Sequence, residues 1–376
     1  MTTTKNHQLR VEGWLNISHS YALVNQFQLL AMLKNNLASV QHCDMPFIMS
    51  HWGSGQNSAG FNTEDQSMMS DLNHSLLTNG IYRIFAPLGL VADTKLPTLT
   101  FAVTEFGLDN EKYPMGFANE YVRMGGKIHT PSQWSKYRLL ANSIPSESIH
   151  VIAHAADPDY FFKLNAEDIE INRTNLGYKE SDILILNVGT HHWNKGLDVL
   201  IKAFATARQT NDRLKLVLKD QRSTYLMNSE SYVHQILKEN NFDSEELLSS
   251  IKLISGHLNL LQLNNLYNMA DAYVTPYRAE GFNLPALEAQ TCGTPVIATL
   301  GGATDDFLHA EHNQLIHGKL IENSYLKEHL EINAYIEPNI DDLIEALKKL
   351  NRKNKAHKSK IQYQWVDAAK EILALL

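Results

Sequence analysis

The chain has few cysteines, no long hydrophobic run and a shortage of positive charge. Two cysteines in 376 residues, Cys43 and Cys292, leave no spaced pair for a zinc site and no disulfide framework, which fits a reducing cytoplasm. Nowhere do ~18 apolar residues follow one another, so no membrane-spanning helix is expected. The opening MTTTKNHQLRVEGW lacks the apolar core of a signal peptide. Lys and Arg number 33 against 41 Asp and Glu, a formal charge of −8. That argues against a general nucleic-acid binder and leaves room for a local basic face. No internal tandem repeat is visible. Hydrophobic residues make up 44% of the chain, enough for packed cores, and the length exceeds one ordinary core. Strand and helix patterns alternate on both sides of a polar stretch at 165–181. The reading is α/β, with two Rossmann-like domains facing across a cleft.

The most informative stretch is EGFNLPALEAQTCGTP, residues 280–295. The apolar run ADAYVTP, 270–276, reads as a buried strand before it, and PVIAT, 295–299, as the next strand. Asn283 is a good N-cap and Pro285 falls in the first turn, where a missing N–H costs nothing. Leu284, Leu287 and Thr291 recur at helical spacing. Gly293 closes the helix in a left-handed conformation and Pro295 prevents its continuation. The helix therefore opens at the carboxyl end of a strand, where α/β sheets place ligands. Backbone N–H groups of Gly281, Phe282, Asn283 and Leu284 suit a diphosphate. Glu280 in the loop and Glu288 on the second turn bracket them. The bland reading makes Glu280 a loop cap and Glu288 a solvated helix residue. The functional one has carboxylates accepting hydrogen bonds from a sugar and a ribose diol.

Before this stretch, residues 9–15 read as a strand and the chain from Tyr21 as a helix with Leu23, Phe27, Leu30 and Leu33 on one side. Asn16, Ser18, His19 and Ser20 fill the turn between them, and His19 is either a cap or a ligand group. Residues 46–50 read as a strand. The polar run at 51–66 is an acceptor-binding loop or an insert. A strand is expected at 80–90 with Arg83 inside it, and another at 98–103 with Glu105 at its carboxyl end. A charge inside an apolar strand needs a partner or a cleft, so Arg83 and Glu105 are a salt bridge or acceptor-side groups. Strands at 127–131 and 149–161 flank a helix capped by Ser132. After the expected linker at 165–181 come a strand at 183–188, a turn at Gly189, Lys195-Gly196 before a helix from Leu197, and Lys219 at the end of the strand LKLVLKD. A fixed ammonium before a helix N-terminus suits a leaving diphosphate. Further on lie a strand and turn at 251–258, an amphipathic helix at 340–350 and a terminal helix at 365–376. The basic stretch at 347–360 is a solvated helix end or a peripheral contact with anionic lipid.

Residues 280–295 resemble the E-x7-E signature (EGFGLPxLEA…G.PV) of retaining glycosyltransferases of the GT-B fold, the large family 4 type. TPSQWSKYRLL…IHVIAHAADPDYF is similar to that family's PSxxSKxxL…I.VIPHGVD..F. The chain at Gly189 to Gly196 resembles its G-R/T-x(4–5)-K-G, and LGGATDDFLHAEHNQLIHG its GG..E…NGxLV. The resemblance spans about residues 130–310 closely and the first 125 loosely. It implies an acceptor-side domain over 1–170, a nucleotide-sugar domain over 171–360 and a last helix, 361–376, crossing back onto the first domain. It implies transfer of a sugar, with retention, from a UDP donor ahead of a GDP donor to a glycan, lipid-linked or other hydroxyl acceptor, without metal or other cofactor. Glu288 would hold the ribose. Gly281 to Leu284 and Lys195 would hold the diphosphate, and Glu280 would orient the sugar. Thr190 stands where many members have Arg, with Lys219 a candidate second cation. Gly256 and His257 fall where the nucleobase is lined. Ser18 and His19 replace a glycine-rich loop, and Arg83 and Glu105 join them on the acceptor side. Glu280, Lys195, His19 and Glu105 form the expected catalytic set. Asp157-Pro-Asp159 falls in the linker region rather than in a metal site. Alternatives are a non-catalytic GT-B subunit, a nucleotide-sugar epimerase, or a phosphorylase, for which no pyridoxal-phosphate lysine is evident.

Overall fold

The computed structural model describes residues 7–52, 59–72, 74–93, 95–109, 112–221, 228–242, 244–326, 330–352 and 363–376. The chain divides into two compact units. One comprises Met1–Asp157, Tyr325–Asn333 and Gln362–Leu376, the other Pro158–Ser324 and Ala334–Ile361.

The first unit runs β1 (His7–Gly13), α1 (Ser20–Lys34), β2 (Ala38–Asp44), α2 (Thr63–Ser70), β3 (Gly80–Ile84), β4 (Thr98–Phe101), α3 (Asn119–Arg123), β5 (Lys127–Thr130), α4 (Gln133–Leu140) and β6 (Ile149–Val151). Its six strands form one parallel sheet in the order β2-β1-β3-β4-β5-β6. Leu9, Val11, Ile81, Ile84, Leu99 and Ile128 are wholly buried in it. The strand expected at 46–50 is instead loop, and β2 lies upstream of it. At this sheet edge only Val40 and His42 of β2 are buried, so its apolar signal is faint. The apolar PFIMS loop was the stronger decoy. The strands expected at 80–90 and 149–161 stop after five and three residues.

The second unit runs α5 (Ala166–Asn175), β7 (Ile183–Val188), α6 (Leu197–Arg208), β8 (Leu214–Lys219), α7 (Ser229–Glu239), α8 (Glu245–Leu248), β9 (Ile251–Ile254), α9 (Leu260–Met269), β10 (Ala272–Thr275), α10 (Leu284–Thr291), β11 (Val296–Thr299), β12 (Gln314–Ile316), the hairpin strands β13 (Gly318–Leu326) and β14 (Leu330–Pro338), and α11 (Ile340–Lys348). Its parallel sheet has the order β12-β11-β10-β7-β8-β9. The β7 run ILILNV is buried almost throughout, as a central parallel strand must be. The polar stretch expected as a linker folds as α5, capped by Asn165. Arg173 anchors it: the guanidinium is buried, 3.1 Å from Asp271, and donates to the carbonyl of Met269. One buried arginine in place of an apolar stripe is what made this helix read as linker.

The chain ends in α12 (Trp365–Leu375), which packs on α1 of the first unit as expected. Trp365 stacks on Phe27 with ring centroids 5.3 Å apart, and Lys127 Nζ donates to the carbonyl of Leu375 at 2.6 Å.

Candidate functional site

The candidate site is built at the carboxyl ends of β7 and β10, neighbours in the second sheet. The loops leaving them are tied together by backbone. The N–H groups of Arg278 and Ala279 donate to the carbonyl of Asn194 at 2.7 and 3.2 Å, and Asn194 Nδ2 donates to the carbonyl of Ala279 at 3.0 Å. Gly196 closes the turn in a left-handed conformation, φ +67°, with its α-carbon so near the other loop that a Cβ would lie 1.8 Å from the Pro276 carbonyl oxygen. Only glycine fits there, which explains the residue after Lys195. The result is an ion pair: Lys195 Nζ stands 2.8 Å from Glu280 Oε2.

Asn283 caps α10 as expected, but with φ +74°, a conformation that asparagine tolerates better than most residues. Its Oδ1 accepts from Ala286 N and its Nδ2 donates to Thr275 Oγ1 at 3.0 Å, so strand end and helix start are stitched by one side chain. Gly293 takes the left-handed conformation expected of it, φ +77°. Glu288 is not solvated: it is 7% exposed, and Tyr267 donates its hydroxyl to Oε2 at 2.6 Å. Burial pushes this carboxyl up to about 7, against the Tyr267 bond, which favours the ion. Tyr273 is buried close to both Glu280 and Glu288, and burial plus the two carboxylates hold its hydroxyl well above the ordinary range.

The remaining residues expected on the donor side lie at the ends of β7, β8 and β9. Lys219 lies opposite Val188, its carbonyl accepting from Gly189 N at 3.0 Å. Its ammonium is buried, donates to the Asp220 carbonyl, and is shifted downward by desolvation. Ser255 donates to Asp220 Oδ2 at 3.0 Å. His257 is lowered by burial and then by the Lys219 charge. Space is open beside Gly256. The Thr190 hydroxyl lies 2.7 Å from His192 Nδ1. Thus every residue expected to bind the donor sits in the second unit, at strand carboxyl ends, in the loops that leave them or on the first two turns of α10.

The residues expected on the acceptor side lie in the first unit. His19 caps α1, its Nδ1 accepting from Tyr21 N at 3.2 Å, and its ring packs between Trp14 and Trp52 at 5.3 and 5.0 Å. Ser18 beside it is half-buried. Arg83, expected to face Glu105, gives Nε to Glu12 at 2.6 Å and Nη1 to the carbonyls of Gly89 and Val91. Glu105 is half-buried, its carbonyl accepting from Trp134 Nε1 at 2.6 Å. Among the described residues no cluster of three or more His, Cys, Asp or Glu is placed to hold a metal ion, and no helix is long and apolar enough to cross a membrane. Most of the basic stretch at 347–360 lies outside the described residues.

Sequence reasoning missed Asn194, Asp198, Tyr267, Arg278 and Glu337. Arg278 carried a weak signal: it stands two residues after the apolar run 270–276 and two before Glu280. Tyr267 and Glu337 carried none, because each meets the site only through the fold.

Residues 168–330 match the family described as Glycosyl transferases group 1. A mannosylfructose-phosphate synthase of Agrobacterium fabrum is 28% identical over 235 residues, covering 61% of this chain and 47% of that protein. The chain spans about half the length, or less, of the curated relatives it matches. Anabaena HepE, solved in complex with UDP and glucose, superposes with a TM-score of 0.63 at 13% identity, covering 98% of this chain and 99% of that one. A glycosyltransferase from Rickettsia africae gives a TM-score of 0.65 at 15% identity, with 99% and 98% covered. At these identities the likeness is one of fold, shared along nearly the whole chain.

Proposed function

We propose, on the premise that the chain belongs through residues 168–330 to the glycosyl transferases group 1 family and carries the GT-B fold, that this protein is a retaining glycosyltransferase with a nucleotide-sugar donor. The observation that carries the reading is the Lys195–Glu280 pair, 2.8 Å apart at the entrance to α10, on whose second turn Glu288 is buried. A donor diphosphate takes Lys195 as its cation and the N–H groups of 281–284 as its donors. Glu288, as the ion, accepts from the ribose diol. Glu280, released from Lys195 by the diphosphate, orients the donor sugar as its anomeric carbon gains oxocarbenium character. Lys219 adds positive charge beside the Gly189 turn, where Thr190 carries none. The first unit supplies the acceptor side, with His19 and Glu105 its candidate groups. The acceptor is a hydroxyl of a glycan or lipid-linked sugar, and the chemistry proceeds without metal. UDP is the expected nucleotide, the one bound in the solved HepE structure.

The test is calorimetric titration of UDP, GDP and ADP into the wild type, Glu288→Ala and Lys195→Ala. Wild type should bind UDP. Glu288→Ala should lose about 10- to 100-fold in affinity, the worth of hydrogen bonds to a charged group. Lys195→Ala should keep measurable binding while turnover falls about 100-fold or more. Turnover that survives a chelator supports the metal-free reading. Failure of the wild type to bind any of the three nucleotides removes the proposal and favours a non-catalytic subunit.

A further inference from the structure

The geometry points to Arg278 as a positioning residue that holds Lys195 and Glu280 in register by clamping three separate segments around one buried guanidinium. The side chain is 6% exposed. Nη1 and Nη2 grip both oxygens of Asp198 at 2.7 and 2.9 Å, on the first turn of α6. Nε and Nη2 grip both oxygens of Glu337 at 2.7 and 3.0 Å, on β14 of the hairpin. Nη1 also donates to the carbonyl of Trp193 at 2.9 Å, and the guanidinium lies 4.8 Å from the centre of the Trp193 ring. All five N–H donors of the fork are therefore engaged, a demand that no lysine can meet. The backbone of Arg278 is tied at both ends as well: its N–H donates to Asn194, and its carbonyl accepts from Ile336 N at 2.8 Å.

The placement of these ties gives them their consequence. Trp193 is two residues before Lys195, and Arg278 two before Glu280. One guanidinium thus fixes the backbone on both sides of the Lys195–Glu280 pair. The hairpin, far from the pair in sequence, supplies the carboxylate that completes the clamp. Asp198 and Glu337 act through Arg278, and Arg278 acts through the two loops; none of the three needs to touch a substrate. For its effect on turnover the inference rests on the donor-site reading above; for its effect on Lys195 it does not.

The experiment uses the full chain with Arg278→Met, Arg278→Lys and Glu337→Gln, with Glu280→Gln as reference. Each variant is first checked for folding by thermal melting. Lys195 is then acylated with acetic anhydride under limiting conditions, and its rate relative to the other lysines is read by peptide mass spectrometry. Losing the pair partner in Glu280→Gln should expose Lys195 to the reagent. Arg278→Met and Glu337→Gln should each raise Lys195 labelling several-fold toward that reference, with Arg278→Lys restoring charge but not the wild-type rate. Turnover should fall about 100-fold in Arg278→Met, as expected for misplaced reacting groups, while donor KM moves by less than about threefold. Lys195 labelling at the wild-type rate in a folded Arg278→Met overturns the inference. Should Arg278→Met fail to fold, the labelling of Glu337→Gln decides in its place, since Glu337 is the more exposed partner. A wild type that binds no nucleotide removes the proposed function, yet the Lys195 labelling still rules on the clamp.

Discussion

Glu288 sits where a small change of environment changes its charge. In the folded protein burial holds it at about 7, against an ordinary value of 4.5. Between these values the unfolded chain is ionised there and the native one is protonated. Folding stability from this group is therefore fully present below 4.5 and lost as pH rises through 7. Glu288→Gln should then melt higher than the wild type at pH 8, by up to ~3 kcal/mol, the free-energy equivalent of the shift. The same shift bears on binding, because a ribose diol donates to the ion. UDP affinity should fall as pH drops from 8 to 6, and binding near pH 7 should release up to one proton. Calorimetry in two buffers of different ionisation enthalpy reads that proton directly; uptake of a proton would contradict the role. The two carboxylates were legible in the sequence by their spacing around a capped helix. The environment that sets the charge of Glu288 was not, because Tyr267 lies 21 residues away and touches it only across packed helices.

The turn from Trp193 to Gly196 is the smallest element on which the site depends. A Cβ at Gly196 meets two penalties, a left-handed φ and a carbonyl oxygen 1.8 Å away. Gly177 in the same unit also has positive φ, +84°, but nothing within 4 Å of its Cβ position. Gly177→Ala should therefore cost only the conformational strain, about 1–2 kcal/mol. Gly196→Ala should cost clearly more and abolish turnover, as urea unfolding and a donor assay on both variants would show. Equal costs would mean that the loop at Pro276 yields easily. Elements of this kind were readable where one physical signal dominates. β7, α6, α10 and β11 were found because buried parallel strands read as unbroken apolar runs and their helices carry caps or a bordering glycine. β2, α5 and the β13–β14 hairpin were missed because edge strands alternate weakly, a buried arginine mimics a polar linker, and a hairpin of mixed polarity has no period of its own.

At the scale of the molecule, the first unit carries two buried histidines that make its stability depend on acid. His129 and His154 are buried in the first unit, and burial lowers each to about 3. Native histidines at about 3 stay neutral while unfolded ones charge below 6.5, so this stability is present above 6.5 and lost as pH falls toward 3. Each contributes up to ~1.4 kcal/mol per pH unit across that window. Tyr82 donates to Gln28 and takes its second bond from His129 at 2.9 Å. His129→Gln, which can still donate to Tyr82, should flatten the acid limb by about one proton. Four of the five tryptophans, Trp14, Trp52, Trp134 and Trp365, belong to the first unit, so tryptophan fluorescence against pH reports on it. An acid limb unchanged in that variant would assign the sensitivity elsewhere. The last helix adds a matter of timing. α12 covers α1 through Trp365 on Phe27, so the first unit takes its closing piece from the far end of the chain. During synthesis at ~5–20 residues per second, the sheet of residues 7–151 is complete some ten to forty seconds before that piece exists. Through that interval the apolar face of α1 lies bare on the ribosome, an exposure that a chaperone is suited to cover.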